Sequence, residues 1–207
     1  MDEKRMNVEK TWLYSFARFL MTILYCSVFR LRARGVERFP KDQNCILLSN
    51  HISAWDPLTI AHLYKHNEIH FFAKDSLFKN TFFAVVLRKI HAFPVKRGET
   101  DMKAMRHAMQ VLKDGHVLGI FPEGHRIYGG EIAPMETGVA VMALKSRVPV
   151  TPIFIRGRYR FFSTILVSVG EPISLDDLFG GTADADTLNE VKRRFMRALQ
   201  ALAEAES

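Results

Sequence analysis

A histidine and an aspartate stand close together in the segment Ser49-Asn50-His51-Ile52-Ser53-Ala54-Trp55-Asp56-Pro57. An imidazole takes up a proton readily near neutral pH, and a carboxylate that keeps one ring nitrogen protonated leaves the other free to do so. Asp56 followed by Pro57 has the form of a helix N-cap with proline at the first helical position. A tight turn back from that cap would bring the carboxylate against His51. Such a pair suits deprotonation of a substrate hydroxyl, assistance worth roughly 10²–10⁴-fold. No GxSxG elbow occurs in the chain, so a serine acyl-enzyme is not indicated. Cys45 lies in an apolar run and makes a poor nucleophile. From local pattern alone a plainer account serves equally well: Asp56 caps its helix and His51 fills a polar strand end.

Two further clusters follow apolar runs. In Ile120-Phe121-Pro122-Glu123-Gly124-His125-Arg126, proline and glycine shape a loop that projects Glu123 and Arg126. Gly124 can expose backbone N–H groups to an anion, and Arg126 can fork onto phosphate oxygens. Phe93-Pro94-Val95-Lys96-Arg97-Gly98 supplies a second cationic loop. Each alone reads as a solvated turn; three clusters at the ends of apolar runs point to one site. His62, His66 and His70 recur at four-residue spacing, but a helix through His62 must give way to strand by Glu68. No HExxH arrangement accompanies them, so no metal is expected.

The elements that would position these loops alternate. Strands are expected over 45–49, 68–72, 116–121, 148–155 and 164–169, with helical patterns near 57–65, 75–90, 100–114 and 136–146. A last helix over 185–204 places Leu188, Val191, Phe195, Leu199 and Leu202 at three- and four-residue intervals. This alternation predicts a single α/β domain with a mixed, largely parallel sheet flanked by helices. In open sheets of that kind, ligands gather beyond the strand ends.

With 207 residues, 48% hydrophobic and 25% charged, the chain has the length and composition of one globular domain. The net charge of +7 favours an anionic partner, whether nucleic acid, acidic lipid or phosphate-bearing substrate. The basic residues are scattered and no nucleic-acid-binding motif accompanies them, so nucleic acid is not expected. Cys26 and Cys45 lack CxxC spacing and read as reduced thiols of a cytosolic compartment. The first ten residues carry six charges, which does not suit a cleaved signal peptide. The apolar run Thr11 to Phe29 approaches the length of a membrane span, yet Arg18 sits near its middle. Trp12, Tyr14 and Tyr25 favour an interface, and Arg30, Arg32 and Arg34 follow. The expectation is an amphipathic, membrane-anchoring helix in region 1–34, lying in one leaflet, with the domain proper over 35–207. A buried amphipathic helix packing on its own domain is the alternative.

Together these residues resemble the glycerolipid acyltransferase family typified by bacterial 1-acyl-glycerol-3-phosphate acyltransferase. Asn50, His51 and Asp56 match its NHxxxxD block. Lys74 and Arg97 match the second block, Phe121-Pro122-Glu123-Gly124 with Arg126 the third, and Val148 to Ile153 the apolar fourth. The matches run in order over about residues 44–155. The resemblance implies that His51 removes the acceptor's hydroxyl proton and that Asp56 orients and charge-balances it. Arg97, Glu123, Gly124 and Arg126 would form the acceptor site, with Lys74 adding a cation near the headgroup. It further implies acyl-CoA or acyl carrier protein as co-substrate, a lysophospholipid acceptor, and neither metal nor tightly held cofactor. The place implied is an anionic membrane surface on the cytoplasmic side, held peripherally or monotopically. His125 stands where the family has threonine, and Lys96 where an acidic residue often precedes the arginine. Thr81, Ala84 and His91 replace a proline and two glycines of the second block. These departures bear on acceptor identity more than on reaction type.

Overall fold

A computed structural model describes residues 28–96, 101–127 and 132–205, the side chains of residues 83, 86 and 89 apart, together with positions 16, 19, 22, 23 and 25. Strands β1 (Arg30–Arg34), β2 (Cys45–Ser49), β3 (Ile69–Lys74), β4 (Ala92–Val95), β5 (Val117–Ile120), β6 (Val150–Gly157) and β7 (Thr164–Val169) form one sheet. Their order is β1-β7-β6-β2-β5-β3-β4. Every pairing is parallel except β6 with β7. The helices are α1 (Asp56–Leu63), α2 (Thr81–Lys89), α3 (Met102–Lys113), α4 (Thr137–Ser146) and α5 (Ala185–Glu204). The single α/β domain with its largely parallel sheet is therefore as the pattern predicts.

Central strands of a parallel sheet are buried on both faces, which is why β2 (CILLS) is buried at every position. On one face Ile46, Leu48, Leu118 and Ile120 pack against Ala108 and Leu112 of α3, Ala140 and Ala143 of α4, and Val191, Phe195 and Leu199 of α5. On the other, Leu47, Ile153 and Val167 pack against Ile60 of α1, Tyr64, and Tyr25 and Phe29 from before β1. α3 starts where Asp101 accepts from the N–H groups of Lys103 and Ala104, at 3.1 and 3.0 Å.

Two strands differ from expectation. β1 (RLRAR) alternates exposed and half-buried residues at the sheet edge, so its arginines leave only a weak apolar signal. β1 pairs with β7 from Arg30 onward, and Tyr25 and Phe29 belong to the core on that face of the sheet. β4 contains Pro94, which is tolerated because β4 is the opposite edge strand. Residues 16, 19, 22, 23 and 25 are helical. The rest of the expected amphipathic helix lies outside the described residues, and with it Cys26. Among the described residues no helix is long and apolar enough to cross a membrane.

Candidate active site

β2 and β5 lie side by side and parallel, so the segments that follow them leave the sheet at the same end. Behind β2, Asn50 ties the turn to the next strand. Its amide donates to the Ile155 carbonyl at 2.9 Å and accepts from the Ile155 N–H at 2.7 Å. This latch replaces one rung of the sheet ladder and releases the chain into the loop that carries His51.

His51 Nδ1 lies 2.9 Å from Asp56 Oδ2. Asp56 is fully buried, and the same oxygen accepts from the N–H groups of Ile52 and Ser53, each at 2.7 Å. An ionised carboxylate can only accept, so the neutral His51 tautomer that meets it carries its proton on Nδ1 and presents Nε2 with a free lone pair. The predicted cap is shifted by one residue. Trp55 is the N-cap, and Asp56 is the first helical residue, its carboxylate turned back to the preceding loop. It gains there what a cap would give the helix, with the positive end of α1 beside it.

The His51 ring is stacked on Phe121 at 4.1 Å between centroids and 23° between planes. Phe71 lies beneath Phe121, 5.9 Å away and at 15°. Gly119 makes room for this stack: a Cβ there would stand 2.1 Å from the Phe71 ring. Glu123, which the pattern projects outward, turns inward instead and is 1% exposed. Its carboxylate accepts from the His51 N–H at 3.1 Å and the Ala133 N–H at 3.4 Å. Burial pushes the Glu123 carboxyl above the usual carboxylate range, against the pull of those N–H donors. The Ile127 N–H closes the loop on the His51 carbonyl at 2.8 Å. The third-block loop thus braces the first.

A cavity of about 570 Å³ opens beside the imidazole. Its inner walls are apolar, with Phe72, Val95, Met105, Ile120, Val139 and Met142; Lys96, Gly124 and His125 stand among its polar lining. Gly124 adopts φ +68, a conformation natural to glycine. Lys74, at the end of β3, and Arg126 are exposed, and neither lines this cavity. Arg97 lies outside the described residues. Asp101, the N-cap of α3, also accepts from the Lys96 N–H at 3.1 Å. These backbone donors, Ala104 foremost, hold Asp101 below the usual carboxylate range. Of the three histidines at four-residue spacing, His62 is on α1, His66 follows it and His70 is on β3. Cys45 is buried, which pushes its thiol up to about 12.

One group of residues has no counterpart in the sequence reading. Behind Asp56, the Thr59 hydroxyl meets Tyr159 Oη at 2.8 Å and also Tyr25 Oη. Burial raises both phenols, Tyr25 to about 12, with the Asp56 charge adding to each. Both stay neutral as a hydroxyl wall behind the carboxylate.

The profile of the acyltransferase family matches residues 30–156, from β1 into β6. The chain is 28% identical over 145 residues to 1-acyl-sn-glycerol-3-phosphate acyltransferase of Bacillus subtilis, covering 70% of this chain and 72% of that protein. It is 31% identical over 141 residues to the protein of that name from Borreliella burgdorferi, covering 67% and 56%. Its structure is similar to the crystal structure of the 1-acyl-sn-glycerophosphate acyltransferase of Thermotoga maritima. The TM-score is 0.68 at 26% identity, over 92% of this chain and 78% of that one. The matched stretch holds the His51 loop, its brace and the cavity between them, and the chain belongs to the acyltransferase family.

Proposed function

We propose that the chain is a 1-acylglycerol-3-phosphate O-acyltransferase. It moves a fatty acyl group from acyl-CoA or acyl carrier protein to the sn-2 hydroxyl of lysophosphatidic acid, giving phosphatidic acid for phospholipid synthesis. The observation that carries this reading is the 2.9 Å contact between His51 and Asp56, with His51 lining a largely apolar cavity. Relatives bearing the name of this activity support it. In the proposed step, His51 Nε2 takes the hydroxyl proton as the acceptor oxygen attacks the thioester carbonyl. The tetrahedral intermediate collapses, the thiolate leaves, and the imidazolium returns the proton to it. Asp56 balances the imidazolium charge. The chemistry asks for no metal and no bound cofactor.

The acyl chain would lie along Phe72, Val95, Met105 and Val139 in the cavity. Lys74, Arg97 and Arg126 would meet the acceptor phosphate, with Gly124 offering backbone to it. Glu123 acts by holding the His51 loop. The enzyme would work at the cytoplasmic face of an anionic membrane, attached peripherally or monotopically through region 1–34. The test is a substrate panel: several lysolipids and glycerol 3-phosphate against acyl-CoA and acyl carrier donors, with products identified by mass. Phosphatidic acid formed by the wild type, and reduced at least about 10²-fold in His51→Ala, is the expected result. A product from another acceptor corrects the substrate. Tight lipid binding without any product would make the chain a non-catalytic lipid-binding module.

A further inference from the structure

The turn between β6 and β7 is unlike an ordinary polar hairpin. Phe161 and Phe162, adjacent at its tip, are 78% and 71% exposed. Arg158 and Arg160 beside them are also exposed. Phe162 has φ +58, a left-handed conformation costly for a bulky side chain. The chain is held in it by the Phe162 N–H donating to the Val28 carbonyl at 2.7 Å. The Ser163 hydroxyl accepts from the Arg160 N–H at 3.1 Å, with the Arg158 and Arg160 carbonyls in reach of its own proton. The fold thus maintains a strained turn that presents two phenylalanines to the outside.

Its place in the sheet says what it faces. β6 runs parallel to β2, so the turn after β6 leaves the sheet at the same end as the His51 loop. β1 begins at that end too, since Arg30 pairs with Thr164, and the amino-terminal segment enters there. Trp55 follows β2, Leu77 and Phe82 follow β3, and Met102 follows β4; all four are exposed at this catalytic end. Val36, which follows the oppositely directed β1, is exposed at the other end, and the exposed Val85 lies midway along α2. Inside the turn, Tyr159 is fixed through its hydroxyl to Thr59 and packs edge-on against Phe29, 5.5 Å away. The tip therefore has a rigid mount.

We infer that the 158–163 turn is a second membrane-insertion element: Phe161 and Phe162 enter the hydrocarbon of an anionic bilayer, and Arg158 and Arg160 meet its headgroups. Apolar tips flanked by cations match that surface in both polarity and charge. Stable attachment ordinarily takes two signals, and the turn supplies one outside the amino-terminal region. The inference rests on the membrane-surface reading above and assigns it to residues that the family resemblance does not name.

The test uses the full chain and vesicles of phosphatidylglycerol mixed with phosphatidylcholine. Phe161→Ser with Phe162→Ser should lower the partition coefficient at least about tenfold, because two large apolar groups no longer leave water. Val36→Ser, at the opposite end, should leave it unchanged. A second probe places Phe161→Trp in a Trp12→Phe, Trp55→Phe background. Its fluorescence should be quenched by vesicles brominated in the acyl chains. Unchanged partition of the double variant, or no quenching, overturns the inference and leaves the tip to a protein partner. Acyl transfer to a short-chain, water-soluble acceptor is followed in parallel. Weakened partition in a protein without transfer activity upholds the docking turn and sinks the enzymatic reading; intact transfer with unchanged partition does the reverse.

Discussion

Asp56→Asn separates the charge of the carboxylate from its geometry. Oδ2 accepts from His51 Nδ1 at 2.9 Å and from the Ile52 and Ser53 N–H groups at 2.7 Å. An asparagine can keep all these contacts only by placing its carbonyl oxygen where Oδ2 was, since its NH₂ would face three donors. The tautomer of His51 is then preserved, and what disappears is the negative charge that would balance the imidazolium in the proposed proton transfer. Opposite unit charges about 4 Å apart attract by about 4 kcal/mol at an effective dielectric constant near 20. At 1.36 kcal/mol per factor of ten, kcat/KM should fall roughly 10³-fold. Asp56→Ala should lose as much activity and also strand the two backbone donors, a further cost of about 1–3 kcal/mol in stability for each one left dry. The assay is transfer of labelled acyl groups to lysophosphatidic acid, with urea unfolding in parallel. If Asp56→Asn keeps more than a tenth of wild-type kcat/KM, or is as unstable as Asp56→Ala, the charge-balancing argument is wrong.

Thr59→Val keeps the side chain's shape but removes the oxygen shared by Tyr25 and Tyr159. It should destabilise the domain by about 1–3 kcal/mol, and a loss below about 0.5 kcal/mol in urea unfolding would contradict the hydroxyl wall. Gly119→Ala sets a methyl against the Phe71 ring under the Phe121–His51 stack. Stability should fall by about 1–3 kcal/mol and kcat should fall with it, whereas an unchanged kcat would mean the stack does not position the base. Burial, with the charges of His91, His116 and His107 behind it, lowers His70 to about 3. Between that value and the ordinary histidine value of about 6.5 the unfolded chain holds a proton the folded chain lacks, so this residue's contribution is lost as pH falls through the window. His70→Gln should therefore narrow the gap between unfolding midpoints measured at pH 7 and pH 4.5; an unaltered gap would show that His70 is not a source of acid sensitivity.

What the sequence made legible follows from range and periodicity. β2 and β7 announce themselves as short apolar runs, and α5 by its apolar stripe; their bounds agree with the structure at 45–49, 164–169 and 185–204. β1 escaped because an edge strand of alternating arginines looks like a basic flank, and β4 because proline argues against a strand. The His51–Asp56 contact is local, so its spacing could suggest it. The Phe121 stack, the Glu123 brace and the Thr59 wall join residues distant in the chain, and no single window contains them. Asn50 offered one hint, a second polar side chain directly after the apolar run 45–48, but its partner Ile155 could not be named from that alone.

The Asn50–Ile155 latch spans 105 residues and the Glu123–His51 brace spans 72. A ribosome-bound chain that has emerged only through α3 already contains histidine and aspartate but neither restraint. The imidazole loop is therefore set late, when β5 and β6 have arrived on either side of β2 and their long loops have closed. Nascent chains shorter than about β6 should be catalytically silent whatever local turn they form.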